Sequence, residues 1–143
     1  KGIPTRHMPC LYASVDAFVL PSRGEGWGRP HVEAMAMGLP IIATNWSGPT
    51  EYMTEKNAYP VPIDGLVPVK EGAFKGHLWA QPSVSALRSI MRSIVSNPME
   101  GKKRGNCARK DMVEKYCVRC LNRIVEGRLK EIARKIREAT AET

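Results

Sequence analysis

The stretch that decides the fold runs from Phe18 to Thr44 and reads FVLPSRGEGWGRPHVEAMAMGLPIIAT. Short apolar runs stand at its two ends, at 17–20 and 40–44, and each has the length of a buried strand of a parallel sheet. Between them a glycine-rich loop leads into a helix that begins at Pro30, where the missing N–H of proline costs nothing, and ends at Gly38. The order strand, loop, helix, strand predicts a right-handed βαβ unit of a doubly wound, Rossmann-like α/β sheet.

Outside this stretch the sequence predicts more helices and one segment without a period. Loop 45–51 again places a proline one step after a glycine, and it predicts a short helix that ends at Met53. Residues 58–82 are spaced by prolines and are expected to be extended, with no clear period. The remaining predicted helices cover 8–14, 83–96, 100–117 and 118–139.

Positive charge is concentrated towards the end of the chain. The formal net charge of the 143 residues is +8, and residues 101–143 carry thirteen of the 22 Lys and Arg residues. This basic tail is compatible with docking to RNA or a larger protein assembly, with an anionic membrane surface, and with a solvated helix face on which Glu and Arg pair. The sequence contains no apolar run of about 18 residues, the length that a spanning helix needs.

The four cysteines do not predict a metal or redox site. Cys117 and Cys120 form a single CxxC pair, whereas a zinc site needs a second close pair or a nearby pair of His residues. We therefore expect inert thiols on a helix. Two large aromatic residues, Trp46 and Trp79, are expected to pack into the protein rather than to stack on a nucleobase.

The residues with the most informative chemistry lie in the glycine-rich loop and the first helical turn. Glu25 and Glu33 are eight positions apart, and Gly26 and Gly28 between them let the backbone approach a ligand closely. The free N–H groups at the helix start offer a site for phosphate oxygens. Because carboxylates repel phosphates but accept hydrogen bonds from vicinal hydroxyls, the spacing predicts one carboxylate on a ribose, one on a second sugar and a diphosphate between them.

The sequence around these two glutamates resembles a known family. Residues 11–51 are similar to the donor-site core of the retaining GT-B glycosyltransferases of family 4, whose E-x7-E motif matches Glu25 and Glu33. The stretches on either side of the motif match as well. Together with residues 76–80, which read GHLWA, the match resembles a plant and algal branch of that family.

The resemblance implies a set of donor-site residues. Glu33 would hold the ribose hydroxyls of the donor. Glu25, the implied catalytic residue, would contact the donor sugar and stabilise the leaving-group side. The other implied donor-binding residues are Gly26, Trp27, Gly28, Arg29, His31, Gly48 and Glu51.

Most of these residues are expected to act through the backbone. Amides of residues 26–28 would approach the sugar hydroxyls, and amides of Arg29 and His31 would face the diphosphate. The side chain of His31 is expected on the helix surface, without a part in binding. The donor would be a UDP or GDP sugar, and the reaction would need no metal and no cofactor, since the chain contains no Asp-x-Asp motif.

The resemblance also implies that the chain is one part of a longer enzyme. Residues 1–117 would be the nucleotide-sugar-binding C-terminal domain of a GT-B fold, incomplete at its N-terminus, and residues 118–143 a basic amphipathic helical tail. An N-terminal GT-B domain that binds the acceptor is the expected partner, and residues 1–143 alone are expected to be inactive.

The implied activity is transfer of a sugar from a nucleotide-diphosphate sugar to an acceptor hydroxyl, with retention of the anomeric configuration. The alternative is a non-catalytic, glycosyltransferase-like structural subunit of a large complex, such as a ribonucleoprotein that the basic tail would help to hold.

Overall fold

The computed structural model of the chain describes residues 2–141, and the side chains of residues 2–140. The strands in this part of the chain are β1 (Phe18–Leu20), β2 (Ile41–Thr44), β3 (Tyr59–Val61), β4 (Ile63–Pro68) and β5 (Leu78–Pro82). The helices are α1 (Met8–Ala13), α2 (Arg29–Ala36), α3 (Val84–Ser96), α4 (Pro98–Lys115) and α5 (Val118–Ala141). Short 3₁₀ turns cover Thr5–His7 and Gly48–Glu51.

A parallel sheet with the order β1-β2-β3 forms the centre of the protein. Phe18 of β1 lies opposite Ile41 of β2, and Ile42 lies opposite Tyr59 of β3. Helix α2 connects β1 to β2, as the βαβ prediction requires. The predicted Rossmann-like α/β class and the helical end of the chain are therefore confirmed.

The third strand of this sheet lies in the segment for which the sequence predicted no period. β3 contains Pro60, which lies opposite Ala43 and cannot donate a backbone hydrogen bond. Among the described strands, β3 pairs with β2 alone, so it is an edge strand, where a proline is tolerated. A proline in a three-residue strand leaves too little sequence for an alternating pattern to be recognised.

Helices cover both faces of the sheet, and each face has its own core. Ile41 and Ala43 of β2 belong to one cluster of buried residues, with Met35 of α2 and Met112 of α4. Ile42 belongs to a second cluster, shared with Ile94 of α3 and with β3. All four residues of β2 are buried, because successive side chains of a strand point to opposite faces and both faces are covered.

Helix α4 lies so close to α2 that one contact leaves no room for a side chain. A Cβ atom on Gly105 would come within 2.0 Å of the backbone oxygen of Gly38, the second residue after α2. Gly38 itself has φ of 78°, as expected for the predicted glycine that ends the helix. Arg109 of α4 also donates to the carbonyl of Ala36. These contacts hold α2, and with it the start of the glycine-rich segment, against the body of the protein.

Among the described residues, the β4–β5 hairpin and helix α5 contribute none to either core cluster. β4 and β5 form an antiparallel hairpin with a bulge at Gly65, where φ is 148°. Helix α5 follows α4 after the junction residues Tyr116 and Cys117, and its apolar stripe is exposed. The exposed members of that stripe are Val118, Leu121, Ile124, Val125, Leu129, Ile132 and Ile136. No helix among residues 2–141 is both long enough and apolar enough to cross a bilayer.

The cysteine prediction needs a correction. Cys117 and Cys120 are paired as a disulfide across the junction between α4 and α5, rather than being separate thiols on one helix. Helix α4 ends at Lys115, so Cys117 lies in a turn from which it reaches the first turn of α5. Cys10 and Cys107 are free and exposed. Within the described residues, no three His, Cys, Asp or Glu side chains come together as a metal site would require.

Candidate functional site

The two glycine-rich loops follow the carboxyl ends of β1 and β2, the edge at which doubly wound sheets bind their ligands. Gly28 ends the first loop in the left-handed conformation, with φ of 81°, and caps helix α2. A Cβ atom there would lie 2.6 Å from Nδ1 of His31 and 2.8 Å from Oη of Tyr52. The tight turn into α2 therefore depends on glycine at this position.

Two hydrogen bonds join the two loops, one between backbones and one from a backbone N–H to a side chain. The N–H of Glu25 donates to Oγ of Ser47 at 2.9 Å, and the N–H of Gly48 donates to the carbonyl of Glu25 at 3.1 Å. A Cβ atom on Gly48 would come within 2.1 Å of the carbonyl oxygen of Gly26. Ser47 adopts φ of 55°, which is uncommon for a residue with a side chain, and its hydroxyl is the acceptor that holds the first loop.

Glu33 lies one turn into α2 and is fixed at one of its two oxygens. The hydroxyl of Tyr12, in α1, donates to Oε2 of Glu33 at 2.9 Å. Burial and this carboxylate neighbour raise the pKa of Tyr12 to about 12. The guanidinium of Arg29 lies 3.7 Å from Oε1, and the Glu33 side chain is 40% exposed. A carboxylate oriented in this way can accept hydrogen bonds from a pair of vicinal hydroxyls in solvent.

Glu25 is half-buried, and its charge acts on groups beneath the loop. It raises the pKa of Tyr52, adding to the larger effect of burial, and it favours protonation of His31. Burial outweighs this effect at His31 and lowers the pKa of its imidazole, although carbonyls of Leu20 and Gly28 lie nearby. A neutral imidazole therefore lies under the Glu25 carboxylate near pH 7.

The expected position of His31 on the helix surface is wrong. Its side chain is fully buried and packs edge-on against the ring of Phe18, with ring centroids 5.8 Å apart. His31 shares a helix face with Ala34 and Met35, both buried, because residues three and four positions apart lie on one side of a helix. Among the described residues neither ring nitrogen has a hydrogen-bond partner. The His31 amide donates to the carbonyl of Gly28 at 2.9 Å and so closes the first turn of α2.

The other amides at the start of α2 are available to a ligand. Within residues 2–141 the N–H groups of Gly26, Trp27, Gly28 and Arg29 have no acceptor. Gly26, Trp27 and Arg29 are exposed residues between the two glutamates, whereas Gly28 is buried. Unpaired N–H groups at a helix start carry partial positive charge and bind anions.

An aromatic cluster supports the loop from below. The hydroxyl of Tyr52 donates to the carbonyl of Trp27 at 2.6 Å, and the rings of the two residues lie 5.1 Å apart. Tyr116 packs on both rings and donates to the carbonyl of Glu51 at 3.1 Å. The cluster thereby joins both loops to the end of α4, and the side chain of Glu51 stays exposed.

Some residues of this site were not identified from the sequence. Tyr12, Ser47, Tyr52 and Tyr116 act through contacts with distant residues, which no local pattern indicates. The burial of His31 did have a signal, since its spacing to Ala34 and Met35 places it on the core side of α2. The tryptophan prediction also needs correction. Trp46 and Trp79 are both exposed, and neither belongs to the hydrophobic core.

Comparison with known proteins shows similarity to glycosyltransferases. Residues 3–72 match the family model described as "Glycosyl transferases group 1". The match covers just under half of the chain and includes both loops and both glutamates. In sequence, the chain is 44% identical over 43 residues to the "O-antigen chain mannosyltransferase B" of Escherichia coli, a match that covers 30% of this chain and 11% of that protein.

Solved structures show the same fold. The C-terminal domain of a glycosyl transferase group 1 family protein (LpcC) from Francisella tularensis superposes with a TM-score of 0.64 at 21% identity, covering 82% of this chain and 52% of that one. Anabaena Alr3699/HepE, solved in complex with UDP and glucose, superposes with a TM-score of 0.65 at 20% identity, covering 85% and 29%. The chain thus has the fold of a C-terminal GT-B domain.

The chain spans only a small part of its relatives. It covers between 11% and 16% of the length of the curated relatives that it matches. The matches support a C-terminal glycosyltransferase fragment, in which the two glycine-rich loops and the E-x7-E glutamates lie within the matched segment.

Proposed function

We propose that the full-length protein transfers a sugar from a UDP or GDP sugar to an acceptor hydroxyl, with retention and without a metal, and that this chain is its donor-binding part. One observation carries the proposal. Unpaired backbone amides at the start of α2 lie between two partly exposed carboxylates, Glu25 and Glu33, at the carboxyl edge of a parallel sheet. Residues 3–72, which match the glycosyl transferase family model, contain all of these groups.

The arrangement suits a diphosphate with a sugar at either end. Glu33, with one oxygen held by Tyr12, would accept hydrogen bonds from the ribose hydroxyls. Glu25 would accept hydrogen bonds from the donor sugar on the other side of the amides. As the glycosidic bond breaks, negative charge develops on the departing diphosphate, and the fixed dipoles of the Gly26 to Arg29 amides would stabilise it.

Nucleotide binding tests the donor site directly. In isothermal titration with the full-length protein, we expect UDP or GDP to bind, and Glu33→Ala to weaken that binding by about tenfold or more, because hydrogen bonds to a charged group are lost. Tyr12→Phe keeps the carboxylate but frees its orientation, and should weaken binding by about fivefold. Glu114→Ala, which removes an exposed carboxylate from α4, is the matched control and should bind as the wild type does. Binding of neither nucleotide, or an unaffected Glu33→Ala variant, would refute the donor site.

The stereochemistry and the metal requirement need separate measurements. Proton NMR of the first product formed should show the anomeric configuration of the donor, as retention requires. Transfer should continue at an unchanged rate in excess EDTA. An inverted product, or activity restored only by a divalent cation, would limit the proposal to donor binding.

The alternative, a non-catalytic subunit of a large complex, is favoured by helix α5. Its exposed apolar stripe is suited to a protein partner. Several of its basic side chains are already paired with glutamates of the same helix, as in Lys130 with Glu126 at 2.6 Å and Arg134 with Glu138 at 2.9 Å. Paired basic side chains have less charge to offer to RNA phosphates, so a protein partner is favoured over RNA. Purification as a stable part of a protein complex, without binding of UDP or GDP, would support this alternative, and salt-sensitive retention of RNA would show that the complex is a ribonucleoprotein.

A further inference from the structure

The β4–β5 hairpin lies beside the first glycine-rich loop. β4 leaves the carboxyl end of β3, so the hairpin rises at the same sheet edge as the two loops. The N–H of Ala80, in β5, donates to the carbonyl of Arg23 at 3.0 Å. Arg23 precedes Glu25 by two residues, so the hairpin borders the donor loop at its Glu25 end.

The tip of the hairpin is held in one shape by its own backbone. The N–H of Val69 donates to the carbonyl of His77 at 2.8 Å, and the N–H of Gly76 donates to the carbonyl of Val69 at 2.9 Å. A third bond joins the N–H of His77 to the carbonyl of Phe74 at 3.0 Å. Gly72 and Gly76 adopt φ of 81° and 88°, which the tight turn requires. Side chains at the tip are therefore presented on an ordered surface.

Three aromatic side chains gather on this surface, and we call them the aromatic platform: Phe74, His77 and Trp79. The ring of Phe74 lies 5.8 Å from that of Trp79 at an angle of 45°, and 6.1 Å from that of His77. Phe74 is 57% exposed and Trp79 is 37% exposed. Large aromatic faces that are ordered but exposed are typical of binding surfaces, because they supply contact area with little loss of side-chain entropy.

We propose that the aromatic platform adds a subsite for one sugar ring of a carbohydrate acceptor to the acceptor site of the expected N-terminal GT-B domain. The proposal rests on the proposed function. Exposed aromatic faces pack against the apolar C–H face of a sugar ring, while the sugar hydroxyls remain in water. Trp79 of the platform precedes Ala80, whose N–H bonds to the Arg23 carbonyl near the Glu25 end of the loop. The donor sugar is expected at that end, and the acceptor hydroxyl has to reach the same sugar.

A nucleobase is the other flat ligand that such rings could take, and its expected position is elsewhere. Glu33, the expected ribose ligand, is bonded to Tyr12 of α1, whose ring lies 6.1 Å from that of Phe18 in β1. The hairpin departs from β3, with β2 between β3 and β1. The base, which is attached to the ribose, is therefore expected on the far side of the sheet from the platform.

The test uses the full-length protein and two kinds of probe. An array of neutral mannose-, glucose- and galactose-containing oligosaccharides identifies a binder, whose dissociation constant is then measured by titration, alongside those of UDP and GDP. Phe74→Ala and Trp79→Ala should each weaken oligosaccharide binding by about tenfold and leave the nucleotide constants unchanged. Trp79→Tyr should retain most of the affinity. Leu78→Ala, which shortens a side chain 58% exposed in the same strand, is the matched control and should bind like the wild type.

The outcomes separate this proposal from the proposed function. It is overturned if no oligosaccharide on the array binds, if both alanine variants bind like the wild type, or if they lose nucleotide binding to the same extent, which would indicate base stacking. None of these results refutes the donor site, which is tested separately by the binding of UDP and GDP to the wild type. Oligosaccharide binding that depends on the platform in a protein that binds neither UDP nor GDP supports the platform and refutes the donor site.

Discussion

Helices α4 and α5 follow each other in the chain but use their surfaces in opposite ways. The buried residues of α4 are Gly101, Gly105, Ala108 and Met112, mostly small side chains that let the helix lie against the turn after α2. The apolar stripe of α5 is made of large branched side chains, and it is exposed. Apolar side chains alone therefore do not decide burial. Burial depends on whether another element packs closely against the helix. A helix face of small residues is buried as completely as one of large residues when another element fits against it.

The largest expected effect concerns two glycines in the interiors of these helices. Gly105→Ala would place a methyl group within 2.0 Å of a backbone oxygen, and should lower the free energy of unfolding by about 3 kcal/mol, because neither backbone can move freely. Gly127→Ala in α5 meets no atom within 4 Å, and should raise the free energy of unfolding by about 1 kcal/mol, through helix propensity. Denaturant unfolding of the two variants measures both changes. Equal changes in the free energy of unfolding would contradict the conclusion that α4 is closely packed at its glycine and α5 is not.

A second pair compares a covered isoleucine with an uncovered one. Ile94 of α3 is 8% exposed in the second core cluster, and Ile94→Ala should cost about 2 kcal/mol of stability. Ile124 of α5 is 65% exposed, and Ile124→Ala should cost less than about 0.5 kcal/mol. Thermal unfolding of the full-length protein provides the measurement. A loss at Ile124 as large as that at Ile94 would show that another part of the protein covers the α5 stripe.

The smallest expected effect compares an arginine from each helix. Arg104 of α4 donates to the carbonyl of Ala58 at 3.0 Å and lies over the ring of Tyr59, 4.2 Å from its centroid. Arg104→Lys should therefore cost about 1 kcal/mol, because an ammonium cannot make both contacts. Arg134 of α5 pairs with Glu138 in solvent, and Arg134→Lys should leave the midpoint of unfolding unchanged. A clear loss of stability in Arg134→Lys would show that Arg134 is not simply paired in solvent. No loss in Arg104→Lys would show that its contacts with Ala58 and Tyr59 do not stabilise the protein.

Much of the local structure was predictable because its causes lie within a few residues. The helix predicted over 83–96 is observed as Val84–Ser96, and that over 118–139 as Val118–Ala141, since periodic apolar positions define both. The two glycine-rich loops were expected at the carboxyl edge of the sheet, where they lie. Residues 58–82 were expected to be extended, but strand β3 was not located within them, because Pro60 interrupts a very short strand.

The candidate site was predictable only in outline. Glu25 and Glu33 were singled out by their spacing, and their assignment to a donor sugar and a ribose stays a prediction. The bond from Tyr12 to Glu33 joins residues 21 positions apart, and the clamp between Glu25 and Ser47 joins residues 22 positions apart. Side chains brought together over such separations leave no mark in any local pattern, so the supports of the site became visible only in the structure.

By itself the sequence determined the βαβ unit of β1, α2 and β2 and the long helices that end the chain, and it placed two carboxylates on either side of a helix start. The tertiary structure decided which glycines exclude a side chain, which distant side chains support the two glutamates, and which apolar faces are covered. The physical reason is one of distance. Backbone preference and periodicity act within a turn or two of chain, whereas steric exclusion, desolvation and hydrogen bonding depend on whichever atoms the fold brings within a few ångströms.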